Sequence, residues 1–412
     1  MTDTDPRKES HGQPALKQEP PPLLSKLSYA AHIYSLQGFI SPYLWMRDWK
    51  EYFYPPDGGP NIIKRYEVRP YLPIRIFFPK SYDQTSPQVL PTLFTIHGGG
   101  FCIGHSRDDD EWNRRFANKQ KTLVIALNYS KAPQHPFPTA LHDLEALLLA
   151  ALADESLPID RSARPGGTSP SLSRTAVLGF SAGGNLALAV SQLPSVRAHP
   201  QTPAAAISVY GCLDLSVPPA AKLANRPVKP TLAPPRGGKD ALADPLAGLA
   251  PTFDWSYIPY GHDLRDPLLS PAWAEGADLP PFVGVVAAEL DMLAHESWRL
   301  ACRLSRRGGR GRAVPDRLSK DEKERVCGRR EVGRRKGALE DINNERFGFE
   351  DYWDKSRGGV KWLLVPDVLH GFDNPHIRGL MGGEVMIKDA EMKTRAYVEE
   401  MGNWLRERVW GL

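Results

Sequence analysis

Two glycine-rich clusters carry residue types suited to acyl chemistry. Residues 179–185 read Gly-Phe-Ser-Ala-Gly-Gly-Asn, which places Ser181 in a Gly-x-Ser-x-Gly pattern. A serine hydroxyl attacks acyl carbon when a neighbouring base takes its proton. Gly179 and Gly183, two residues before and two after, let the chain turn sharply without Cβ clashes. The pattern alone equally suits a serine N-cap between packed glycines. The second cluster is His97-Gly98-Gly99-Gly100-Phe101. Three glycines without side chains leave their N–H groups open to an acyl oxygen. Losing one preorganised donor of this kind costs about 3–4 kcal/mol of transition-state stabilisation. A flexible glycine loop or a phosphate cradle is the alternative, but the Gly-Lys-Ser/Thr of a Walker loop is absent.

The flanking elements decide how these clusters are held. Short runs rich in strand formers occur at 62–69, 73–78, 92–97, 122–128, 175–180, 204–210, 282–288 and 360–365. Runs with helical spacing occur at 138–152, 182–193 and 389–409. The first two strand runs form a pair. The later alternation predicts an α/β fold, a mostly parallel sheet with helices on both faces. Ser181 stands between a strand run and a helical run, the strand–turn–helix that a nucleophile elbow requires. The N-terminus of the following helix favours the negative charge that develops there.

With both clusters in place, the sequence resembles the hormone-sensitive-lipase-like branch of the α/β-hydrolases. The resemblance runs from about 91 to 404. It rests on HGGGFCIG (97–104), NYSKAPQHPFPTALHD (128–143), GFSAGGN (179–185), LLSP (268–271), ELDML (289–293) and LHGF (369–372), in the family's order. It implies an α/β-hydrolase fold with an N-terminal helical cap and the order serine, acid, histidine. Five histidines follow Ser181: His199, His262, His295, His370 and His376. His370 follows an apolar strand and lies in the Leu-His-Gly-Phe block, so the resemblance points to it as the base; His376 is the weaker candidate. Asp291 matches the family's acid, with Glu289 as the fallback and a helix N-cap as the structural alternative. The implied oxyanion hole is the N–H groups of Gly99, Gly100 and Ala182, supported by His97, Gly98, Gly179 and Gly183.

Three departures from the family stand out. Phe180 replaces the acid that many relatives carry before the nucleophile. Gln134 replaces the glutamate of the Ala-Pro-Glu block. Asp291 and His370 are 79 residues apart, and the excess matches a basic insertion between acid and base. Loop-closure entropy grows slowly with length, so such an insertion is tolerable.

The 412 residues carry a net charge of +4, yet 303–336 alone holds 14 Lys/Arg against five Asp/Glu. That stretch contains no aromatic residue for base stacking, which argues against nucleic-acid binding. No apolar run is long enough to span a bilayer. The polar, proline-rich start lacks the apolar core of a signal peptide, which predicts a cytoplasmic protein. The four cysteines include no CxxC pair, and no HExxH occurs, so neither a metal site nor a cofactor is expected. The expected organisation is a flexible tail over 1–25 and one α/β-hydrolase domain over 26–412. Within it, 26–60 forms cap helices, 212–260 is a candidate second cap segment, and 303–358 is a mobile basic insertion. Nine aromatics crowd 29–54 and call for burial, as packed helices or as a lid.

The resulting expectation is a serine ester hydrolase working through an acyl-enzyme on small to medium esters. Amide deacylation, lactone opening or acyl transfer could use the same triad. A small-molecule receptor is the rival of a different class. The sequence selects neither the natural substrate nor the oligomeric state.

Overall fold

The computed structural model describes residues 14–161, 173–224, 244, 246–305, 347–354, 358–379 and 383–412. Its centre is a nine-stranded sheet. In chain order the strands are β1 (Ile62–Lys64), β2 (Ile74–Phe77), β3 (Thr92–Ile96), β4 (Leu123–Leu127), β5 (Thr175–Phe180), β6 (Ala205–Val209), β7 (Phe282–Ala288), β8 (Gly348–Asp354) and β9 (Gly358–Val365). In space they lie in the order β1-β2-β4-β3-β5-β6-β7-β9-β8. The six strands from β4 to β9 in that order are parallel. Antiparallel β1–β2 and β8 close the two edges.

The helices are α1 (Leu23–Phe53), α2 (Asp110–Gln120), α3 (Thr139–Ala153), α4 (Ala182–Val190), α5 (Pro194–Arg197), α6 (Pro219–Ala224), α7 (Leu246–Tyr257) and α8 (Ala294–Ser305). A C-terminal helix, Glu384–Trp404, runs on into a π-helical turn, Leu405–Trp410. Successive strand side chains face opposite layers. Phe94, Ile125 and Val177 meet Leu144 and Leu148 of α3 and Leu186 of α4. Their neighbours Leu93, Val124 and Leu178 meet Phe116 of α2 and Met401 and Trp404 of the C-terminal helix. Both faces of the parallel strands are therefore buried, which explains their continuous apolar runs.

The chain builds β4 on one side of β3 and β5 on the other. The crevice between β3 and β5 is thus a topological switch point, where sheets of this class bind ligands at the carboxyl ends of their strands. Both glycine clusters sit there, one after β3 and one after β5.

Three expectations need correction. The cap is one 31-residue helix, α1, and not a set of helices. Pro42 removes only one backbone donor, and the helix runs through it. The helix offers one face to the body, so Ile33 is buried while Phe39, Trp45 and Trp49, and Tyr54 just past its end, stay exposed. The expected tail over 1–25 is also too long: Lys17 forms a β-bridge with Asp263, and α1 begins at Leu23. Residues 1–13 lie outside the described residues. The insertion is shorter than expected, because 303–305 belong to α8 and Gly348–Asp354 form edge strand β8. Residues 306–346 of the expected insertion lie outside the described residues, as do 162–172, and 225–243 within the range of the candidate second cap segment. Within the candidate second cap segment, 246–257 forms a full helix.

Gln37 anchors α1. Its amide donates to the carbonyls of Cys102 (2.8 Å) and Ala132 (2.9 Å), and its oxygen accepts from Gln134 (2.9 Å). Arg75, almost fully buried, pairs with Glu51 of α1 and Asp110 of α2. Gln37→Ala should cost about 1–3 kcal/mol, since each net hydrogen bond is worth about 0.5–1.5 kcal/mol. Denaturant melts with limited proteolysis would check this, with faster cleavage within α1 as the expected signature.

Candidate active site

Ser181 occupies the turn between β5 and α4 with φ 53° and ψ −119°, a left-handed backbone rarely adopted by residues with a Cβ. Its N–H bonds to the carbonyl of Val209 at 2.9 Å, which ties the turn to β6. The flanking glycines are needed for packing. A Cβ on Gly179 would collide with the carbonyl oxygen of Gly183, and a Cβ on Gly183 with that of Ile96 at the end of β3. Gly183 therefore brings the nucleophile turn against the other glycine cluster.

Three of the expected residues converge on one relay. His370 Nε2 lies 2.8 Å from Ser181 Oγ. His370 Nδ1 lies 2.8 Å from Asp291 Oδ2. A carboxylate only accepts, so Nδ1 carries the proton and Nε2 presents its lone pair to the serine hydroxyl. Asp291 is fully buried, and its other oxygen accepts the N–H of Leu293 at 2.9 Å. It stands in the turn before α8, three residues short of that helix. Burial alone would lower the His370 pKa. The charge and hydrogen bond of Asp291, with Asp244 and Asp373 further off, outweigh it and raise the pKa above the ordinary histidine value.

The alternative residues do other work. Glu289 accepts the N–H of Asp367 at 2.8 Å, bracing the loop that carries His370. The N–H groups of Glu289 and Leu290 bond to the carbonyls of Val365 and Val368, both at 3.0 Å. His376 is exposed on a short surface helix. His262 pairs with Asp266 at 2.8 Å.

The glycine cluster after β3 is braced from behind. His97 Nδ1 donates to the Gly98 carbonyl at 2.7 Å, and its ring stacks on Tyr129 at 4.4 Å. The Tyr129 hydroxyl donates to the carbonyls of His97 and Gly98 at 3.2 and 3.3 Å. Lys131 brings three N–H donors to three acceptors: His97 Nε2 (3.2 Å), Asn128 Oδ1 (3.1 Å) and the Tyr129 carbonyl. Burial lowers its pKa to about 7, against the opposing pull of Asp108 and Asp143. Gly99 and Gly100 adopt φ of 112° and 57°. Among the described residues, the N–H groups of Gly99, Gly100 and Ala182 donate no hydrogen bond. Gly100 and Ala182 line the cleft that holds Ser181, and Gly99 immediately precedes Gly100 in the loop.

The cleft continues over Phe101, Cys212, Met292 and Leu293, and its far wall is built by α6 and α7. The second cap segment thus reaches the site. Helix α1 does not line the cleft; it packs behind α7, with His32 Nδ1 3.1 Å from Thr252 Oγ1. A larger groove of about 960 Å³ lies away from Ser181, between the C-terminal half of α1 and α2, among ion-paired side chains such as Arg47 and Asp108.

Sequence reasoning missed the support behind His370. Its ring meets Tyr210 edge-on at 4.9 Å. Tyr210 and Tyr397 both donate to Asp373, and Trp112 Nε1 donates to the Tyr397 hydroxyl at 2.6 Å. Phe180, in place of the family's acid, packs edge-on against Trp112 at 5.1 Å. Asp373, three residues beyond His370, was the one available signal, and its partners are scattered over the chain. Among the described residues no cluster of His, Cys, Asp or Glu is suited to a metal ion. No described helix is long and apolar enough to cross a membrane.

The sequence profile of the α/β-hydrolase fold matches residues 93–315, more than half of the chain. The chain belongs to that family. It is 31% identical to the arylacetamide deacetylase of Oryctolagus cuniculus over 180 residues, 42% of each chain. It is 30% identical to an arylesterase of Saccharolobus solfataricus over 238 residues, 58% of this chain and 68% of that one. It thus spans less than half the length of the first of these relatives. Among solved structures, a Pyrobaculum calidifontis esterase superposes with a TM-score of 0.56 at 21% identity, covering 85% of this chain and 84% of its own. That likeness supports the fold.

The Lys131 network is testable by itself. Lys131→Met removes the donors to three acceptors and should cost about 1–3 kcal/mol, read from urea unfolding. Unchanged stability would show that these groups find other partners.

Proposed function

We propose that this chain is a serine ester hydrolase working through an acyl-enzyme. The observation that carries this reading is the continuous Asp291–His370–Ser181 relay, with both contacts at 2.8 Å, opening into a cleft beside unbonded backbone N–H groups. His370 takes the hydroxyl proton as Ser181 attacks the acyl carbon. Asp291 holds the imidazole tautomer and stabilises the imidazolium as it forms. The oxyanion rests on the N–H groups of Gly99, Gly100 and Ala182. His370 then protonates the leaving alkoxide. Water, deprotonated by His370, attacks the acyl-enzyme and frees the acid. The residues present supply each proton transfer without a cofactor.

The names of the relatives, an arylesterase and an arylacetamide deacetylase, support acyl substrates and raise amide deacylation as a second reading. An ester and the matching anilide, compared on one preparation, separate the two. The intact relay argues against a receptor that has lost its chemistry.

The first test is hydrolysis of p-nitrophenyl esters from acetate to dodecanoate. Wild type should turn over, and Ser181→Ala should lose at least about 10³-fold in kcat. The preferred chain length would size the acyl pocket. No turnover by folded wild type would contradict the reading.

The pH profile supplies a separate check. Catalysis needs neutral His370. A raised pKa keeps the imidazole protonated to higher pH, so the rising limb of kcat/KM should lie above the ordinary histidine value of 6.5. Asp291→Asn removes the largest interaction that raises it. That variant should shift the limb to lower pH and drop kcat by about 10⁴-fold. A limb at or below the ordinary value in wild type would contradict the electrostatic account.

A further inference from the structure

The wall of the Ser181 cleft opposite the oxyanion loop carries charge that the reaction above does not use. Leu246, Ala250, Phe253 and Asp254 of α7 face the cleft at i, i+4, i+7 and i+8, one stripe of the helix. Three of the four are apolar, and Phe253 is packed so close to the oxyanion loop that a Cβ on Gly100 would strike its ring. Asp254 is the exception. Helix α6 adds Pro219 and Lys222.

The two charged groups differ in how they are committed. Lys222 Nζ lies 2.7 Å from Glu296 Oε2, and both side chains are about 95% buried. The other oxygen of Glu296 accepts the N–H groups of Leu213 (2.6 Å) and Asp214 (3.3 Å). Glu296 is thus tied into the backbone behind the cleft and pairs with Lys222 there, while burial raises its own pKa to about 7. Among the described residues, the Asp254 carboxylate forms no hydrogen bond and no ion pair. Burial raises its pKa to about 6, with Lys222 acting against the rise, so it is ionised at neutral pH. Among the described residues, the cleft thus presents one carboxylate held by no hydrogen bond or ion pair, on the same cavity as Ser181, with Lys222 acting on it only through its charge.

An unpaired carboxylate in such a setting is costly unless a ligand supplies the missing cation or donor. We propose that Asp254 is a specificity residue that selects esters carrying a protonated amine. The inference rests on the ester-hydrolase reading. The apolar side chains of α7 cover the carbon skeleton, and Asp254 receives the ammonium N–H. Selection works against acids as well, because a substrate carboxylate would face Asp254 without a partner.

Two pairs of matched esters test this at pH 7.5. On the alcohol side, 2-(dimethylamino)ethyl acetate is compared with 3-methylbutyl acetate, which has the same shape without the charge. On the acyl side, ethyl 4-(dimethylamino)butyrate is compared with ethyl 5-methylhexanoate. Wild type should favour the amine ester by at least tenfold in kcat/KM in one pair, which also shows which side of the ester Asp254 meets. Asp254→Asn should bring that ratio to near one, and Asp254→Glu should restore part of it. Monoethyl glutarate should be a poor substrate that improves in Asp254→Asn. A wild-type ratio near one in both pairs overturns the proposal, as does an Asp254→Asn ratio equal to that of wild type. Failure on the neutral esters and the p-nitrophenyl series alike strikes the hydrolase reading instead, and the proposal falls with it.

Discussion

The contact between the ends of β3 and β5 is the constraint on which the site depends. Gly183 sits where any Cβ would collide with the Ile96 carbonyl, and Gly179 lies just as close beneath Gly183. Only glycine at both positions lets the turn after β5 settle against the strand that carries His97–Gly100. The same contact holds Ser181 in its left-handed conformation, a strain of the order of 1–3 kcal/mol that the surrounding packing must over-determine. Nucleophile and candidate oxyanion donors thus come from one backbone junction at the switch point of the sheet. Movement of one strand end relative to the other would displace both.

The relay is completed across the other half of the sheet, where β7 and β9 are neighbours. Asp291 and His370 are far apart in sequence, yet each follows the end of one of these paired strands. Backbone bonds from Glu289 and Leu290 to Val365 and Val368 hold the two loops together, and the Glu289 carboxylate adds a third tie. Of the residues between them, Gly348–Asp354 form β8, which pairs with β9 and buries Phe349. An insertion in this place leaves the geometry of acid and base to the strands.

Much of the site was legible in the sequence because its backbone demands specific residue types. Gly179, Gly183 and the three glycines after His97 mark close approaches that other residues cannot make, so their spacing carries structural information. Ser181, Asp291 and His370 follow strands whose apolar runs are plain, because both faces of those strands are buried. The cap was less legible. Nine aromatics in 29–54 signal contact surface, but a count of apolar residues does not say that one helix carries all but Tyr54, or which face meets the body. Strand β8 escaped notice because its sequence, GFEDYWD, mixes aromatic and acidic residues without a two-residue alternation. The Tyr210–Asp373–Tyr397–Trp112 support, and the meeting of Asp254 with Ser181 in one cleft, join residues from 24 to 285 positions apart and are set by tertiary packing alone.

The central claim is that Ser181 is activated by His370 and Asp291. Labelling with a small fluorophosphonate, followed by intact mass and peptide mapping, tests it most directly because it needs no knowledge of the substrate. The account expects one label per chain, on the peptide containing Ser181, forming at least about 10³-fold more slowly in His370→Ala. Label on another residue, or an equal rate in that variant, would contradict it.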